Sequence, residues 1–169
     1  SFGQERFYWS EPDSAEQPMT LAGLGIAAEV SVPPVLDNTS EEPTLPGHRF
    51  SAIARKADDL FSEALVLPVD WEVDAGIDEN WRQHPARPRL FGGFAFQDDF
   101  IPDNTWSVFS PAQSILPHYQ FIQIDGDKFL TINALVAWDE SIAGCHAGLK
   151  EALQQSISII RCRPTHGRR

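Results

Sequence analysis

The chain has 169 residues, of which 42% are hydrophobic and 11% aromatic, enough to bury the core of one domain and too apolar for disorder. Thirteen basic against 24 acidic side chains give a net charge of −11, which argues against a phosphate-backbone binder. No stretch has the uncharged apolar length needed to cross a bilayer, so neither a nucleic-acid nor a membrane partner is expected.

The first ten residues already carry Glu5 and Arg6 among aromatic residues and do not read as a signal peptide. Arg6-Phe7-Tyr8-Trp9 predicts an early strand, and residues 20–24 and 26–32 predict two more. Gly23-Leu24-Gly25-Ile26-Ala27-Ala28 spells the G-x-G-x-x-A pattern of dinucleotide sites. That pattern works only where a helix starts at the motif, and Ser31-Val32-Pro33-Pro34 would end such a helix at once. The segment is therefore read as strand.

A long polar loop, 33–48, follows. Residues 49–65 then place Phe50, Ile53, Ala54, Ala57, Leu60, Phe61, Ala64 and Leu65 at helical spacing, opposite Arg55, Lys56, Asp58, Asp59 and Glu63. A second polar loop runs over 68–88, and 89–97 reads as a strand. Its Gly92-Gly93 is no phosphate loop, because no Gly-Lys-Ser/Thr follows; the pair predicts a buried strand lying close to its neighbour. Asp98, Asp99 and Asp103 lack the glycine and terminal glutamate of a calcium loop and read as turn chemistry.

Residues 119–124 and 128–136, joined by Asp125-Gly126-Asp127, predict a β-hairpin. A second amphipathic helix is expected over 141–160, with Ile142, Cys145, Leu149, Ala152, Leu153, Ile157 and Ile160 on one face and Asp139 or Ser141 as its cap. Both helices should lay their apolar face on a sheet. The fold class is α+β: a mainly antiparallel sheet packed with two amphipathic helices.

The tail, 161–169, contains Arg161, Arg163, Arg168 and Arg169 and no acidic residue. It is expected to be a solvated linker after a unit spanning 1–160, which by itself carries a charge of −15. Cys145 and Cys162 show no metal-ligand spacing and are expected to be free thiols of a cytoplasmic protein. His48, His84, His118, His146 and His166 are scattered, and Ser110 and Ser114 sit in no Gly-x-Ser-x-Gly context. Lys56, Lys128 and Lys150 fall on helix surfaces or beside a turn, without the setting that makes a lysine a base. From the residues alone, no catalytic, cofactor-binding or metal-ligating residue is assigned.

Several segments in order nevertheless resemble a known family. They are Glu5-Arg6-Phe7-Tyr8-Trp9-Ser10-Glu11, Leu21-Ala22-Gly23-Leu24-Gly25, the helix at 49–64, and Arg89-Leu90-Phe91-Gly92-Gly93-Phe94-Ala95-Phe96. Trp106-Ser107-Val108-Phe109, Ile115-Leu116-Pro117 and Leu130-Thr131-Ile132-Asn133 complete the series. Over residues 5–137 it resembles the N-terminal part of isochorismate synthases, especially of the menaquinone pathway, within the chorismate-utilising enzymes.

The resemblance implies a sandwich of antiparallel sheets with helices outside, of which this chain supplies one portion. It also implies conversion of chorismate to isochorismate with Mg2+. In that family a lysine activates water, one glutamate acts as general acid, and other glutamates hold the metal. The base lysine stands in a run resembling Lys-Val-Val-Leu-Ala-Arg, which this sequence lacks, so no family catalytic residue maps onto it. The expectation is an N-terminal scaffold fragment, inactive alone, whose partner is the C-terminal catalytic portion of the same enzyme. Such a piece should expose apolar surface and self-associate. Alternatives are a fragment of an anthranilate or aminodeoxychorismate synthase, or a free-standing module that binds a small aromatic acid or a protein.

Overall fold

The structure, a computed structural model, describes residues 5–12, 18–33, 48–66, 81–95, 105, 110–137 and 139–162. Among these residues five strands and two α-helices appear in the order β1 (Arg6–Ser10), β2 (Met19–Val32), α1 (His48–Ser62), β3 (Phe91–Phe94), β4 (Ala112–Ile124), β5 (Asp127–Ile132) and α2 (Ile142–Cys162). Every strand pairing is antiparallel. The α+β class expected from the sequence is the observed one.

The long strand β4 organises the sheet. One of its edges pairs with β2 from Ala112 to Ile124, and β1 continues the sheet beyond β2. The other edge is shared: β3 pairs at Ala112 to Ile115 and β5 at Tyr119 to Ile124. Between them Asn133 takes up the ladder positions, its backbone N–H donating to the His118 carbonyl and its side-chain amide to that of Pro117, both at 2.8 Å.

The two strands expected at 20–24 and 26–32 are one strand, β2. Its register against β4 slips between Ile26 and Ala28, and Gly25 takes φ 68° just before the slip. One extra residue on β2 changes which alternate positions face the core. Leu21 and Gly23 are buried before the slip, and Ala28, Val30 and Val32 after it. β4 starts at Ala112, earlier than the expected Tyr119. A proline within a strand ordinarily argues against one, since it cannot donate to the ladder. Here Pro117 pairs with Ile26 at the slip, where the ladder is already broken.

The hairpin turn is made by Asp125 (φ 50°) and Gly126 (φ 86°), two positive-φ residues of the kind that match hairpin twist. The sheet is curled. The rings of Phe7 in β1 and Phe91 in β3 lie 5.8 Å apart although β2 and β4 intervene, whereas three strand spacings in a flat sheet span about 14 Å.

α1 covers one end of this sheet, with Ile53 packed on Val30, Val32 and Ala112, and Ala52, Leu60 and Leu90 around them. α2 begins where the sequence places it, Ser141 Oγ accepting from the Gly144 N–H at 3.3 Å. On the face expected to lie on the sheet Ile142 is exposed and Cys145, Leu149, Ala152 and Leu153 are half-buried; no described side chain of α2 is fully buried, and those of Ile157 and Ile160 lie outside the described residues. The buried strand expected around Gly92-Gly93 also needs correcting. β3 sits at an edge of the sheet, with Gly92, Gly93 and Phe94 exposed. The polar loops fall largely outside the described residues, but the second contains Trp81, buried in a short 3-10 turn and facing Phe61 of α1.

Candidate functional site

Among the described residues a dense polar arrangement lies where residues 84–90 cross toward β3. Pro85 and Pro88 deprive this segment of two ladder donors, so side chains of the sheet hold it instead. Gln120 of β4, fully buried, accepts from the Arg89 N–H through Oε1 and donates to the Arg87 carbonyl through Nε2, both at 2.8 Å. Thr131, the cross-strand partner of Gln120, donates its hydroxyl to the Ala86 carbonyl at 2.8 Å. On the other side Gln120 is paired with Gly23, where a Cβ would lie 2.8 Å from the Pro117 ring and 3.2 Å from Phe7.

The segment so held is basic. His84 accepts the Ala86 N–H at Nδ1, 3.1 Å away, and meets the Phe129 ring edge-on. Arg82 lies over the Trp81 ring at 5.2 Å and donates to the Phe61 carbonyl at 3.2 Å. Arg89 donates one Nη to the Pro85 carbonyl at 3.3 Å, while its buried Nε has no acceptor. Burial, and secondarily the nearby Arg87, lowers the Arg89 pKa from the usual arginine value. No nucleophile paired with a base is present in this arrangement. Its chemistry is that of a rigid backbone presenting cations.

The other residues singled out by sequence are dispersed. Gly23, Gly25 and Ala28 lie within β2, so the dinucleotide-like pattern is strand, as read. Lys56 is exposed on α1 and donates to the Ser31 carbonyl at 2.8 Å; Lys128 is exposed in β5 and Lys150 half-buried on α2. His48 and His84 are exposed, whereas His118, edge-on to Tyr119, and His146 are half-buried. Ser114 is a buried β4 residue and Ser110 precedes that strand. Cys145 is a free thiol whose pKa is raised, mainly by burial and then by Glu140, which opposes the nucleophilic thiolate. Asp98, Asp99, Asp103 and His166, and the side chain of Cys162, lie outside the described residues. Among the described residues no three His, Cys, Asp or Glu side chains gather as a metal site.

Sequence reasoning gave no site role to Gln120, nor to Thr131 and Asn133, which entered only as members of the resembling series. Their types and positions look ordinary for strand residues. The available signal was the carboxylate-free run of residues 81–97 in so acidic a chain.

Neither a curated protein nor a solved structure matches the chain. The model of one protein family, described as chorismate binding enzyme, matches residues 1–166, nearly the whole length. With the curled antiparallel sheet and its ordered aromatic and glycine segments, this match makes the chain a member of the chorismate binding enzyme family.

Proposed function

We propose that the chain is the scaffold portion of an isochorismate synthase of the menaquinone-pathway type, inactive until joined by residues that supply the chemistry. The observation that carries this reading is the ordered series of motifs within the family match, together with a sequence that lacks the lysine run of the reaction. In that reaction water adds to the chorismate ring and a hydroxyl leaves, which requires a positioned base and acid. Lys56 is exposed and tied to a carbonyl, and Lys128 and Lys150 stand on β5 and α2. Magnesium would be held by the complementary portion.

An uncovered sheet face supports the same reading. Tyr8, Ala22, Phe121 and Leu130 are aligned across four strands, on the face opposite buried Leu21 and Ile122. Tyr8 is 74% exposed and Phe121 36%. An apolar row of this kind suits contact with a second layer. The catalytic portion of the enzyme would supply that layer, and self-association of the isolated chain would cover the row in its absence. A cytoplasmic setting fits the free thiol of Cys145.

The direct test is to incubate the purified chain with chorismate and Mg2+ and separate the products chromatographically. No isochorismate above the enzyme-free background is expected. Turnover by the chain alone would overturn the scaffold reading.

A further inference from the structure

We propose that Arg87 and Arg89 form an oxyanion-binding site, taking the carboxylate or phosphate group of a small ligand. The site is independent of the isochorismate reading and uses none of its expected catalytic groups.

Three observations lead to it. The first is charge segregation. The chain has nearly twice as many acidic as basic residues, yet residues 81–97 carry Arg82, Arg87 and Arg89 with no carboxylate.

The second is the state of the Arg89 guanidinium. One Nη is used on the Pro85 carbonyl, and Nε is buried without an acceptor. Among the described residues no carboxylate pairs with Arg87 or Arg89. A partly desolvated cation beside a second cation is costly unless an anion completes it. The depressed Arg89 pKa, caused by burial and by Arg87, agrees with that account.

The third is preorganisation. Gln120 fixes the backbone at both arginines, and Thr131 fixes it at Ala86, with three hydrogen bonds of 2.8 Å. The segment presenting the guanidiniums is thus bound to the central strand. Little ordering remains to be done when a ligand arrives. A guanidinium offers parallel N–H donors that match a carboxylate or phosphate edge, which selects an oxyanion over a halide.

The experiment follows the Arg89 Nε–H resonance in 1H–15N spectra of the whole chain during titration with inorganic phosphate. Sodium chloride at equal ionic strength is the control, and malonate in a parallel titration stands for carboxylate ligands. A saturable phosphate- or malonate-specific shift is expected. Arg89→Lys, which keeps the charge and removes the fork, is followed at the Arg87 Nε–H resonance because its own reporter is lost, and should weaken binding about tenfold or more. Should that variant fail to fold, Arg87→Lys, read at the same Arg89 resonance, carries the same expectation. Identical responses to chloride and oxyanions, or no saturable shift, would overturn the site. So would undiminished affinity in a folded Lys variant.

Discussion

The two helices carry the same kind of signature in sequence and reach different ends. α1 sinks Ile53 (7% exposed) between Val30, Val32 and Ala112, so its stripe becomes part of the core. α2 is longer, 21 residues against 15, and correctly capped by Ser141, yet none of its described side chains is buried. Helical periodicity states which side of a helix seeks cover. It says nothing of whether the covering surface belongs to the same sheet. α1 finds its partner because the register slip in β2 brings Val30 and Val32 to the core side.

Truncating one side chain on each helix sharpens the contrast. Ile53→Ala removes buried methylenes and leaves a cavity, and should cost roughly 2–5 kcal/mol in urea unfolding. Leu149→Ala, at a half-buried position of α2, should cost about 1 kcal/mol or less. Equal losses would show that the α2 stripe is as fully covered as that of α1, and the contrast would fail.

The same kind of difference separates neighbouring residues in β3. A Cβ on Gly92 would collide with the Gln113 carbonyl oxygen and Ser114 Oγ and stand 2.7 Å from the Ser114 Cα. One on Gly93 meets nothing within 4 Å. Gly92→Ala should therefore destabilise by roughly 1–3 kcal/mol, as overpacking does. Gly93→Ala should change stability by no more than about 0.5 kcal/mol. Thermal unfolding of the pair checks this, and a tolerant Gly92 would mean that β3 can lift from β4.

These residues also show how far the sequence is legible. Both helices, the Asp125-Gly126 turn and the strand nature of Gly23 to Ala28 follow from local rules, because periodicity and turn chemistry act over few residues. The close approach at Gly92 was readable as a glycine role; the exposure of the rest of β3 was not, since edge position is a property of the whole sheet. The first half of β4 was hidden by Pro117, whose tolerance depends on a slip in another strand. The Gln120 clamp joins positions 31 and 33 residues apart, a distance over which no local pattern carries information. What was legible of the cationic segment was its charge, and that only against the acidity of the whole.

The smallest expected effect probes how much cover α2 does receive. Burial, and then the Glu140 carboxylate, raises the Cys145 pKa above the ordinary thiol value. Below that ordinary value the thiol is protonated in folded and unfolded chains alike, and stability does not depend on it. As pH rises past it, the unfolded chain releases the proton first. The stability linked to the protonated thiol then declines until the raised folded value is passed. Iodoacetamide alkylation of a Cys162→Ser variant, which leaves Cys145 as the remaining thiol, should therefore have a midpoint above that of the same chain in urea. Glu140→Gln should return part of the difference, and less than half of it, since desolvation is the larger cause. A folded-state midpoint at or below the unfolded one would mean that Cys145 is effectively in water, and that α2 is uncovered along its first turns as well.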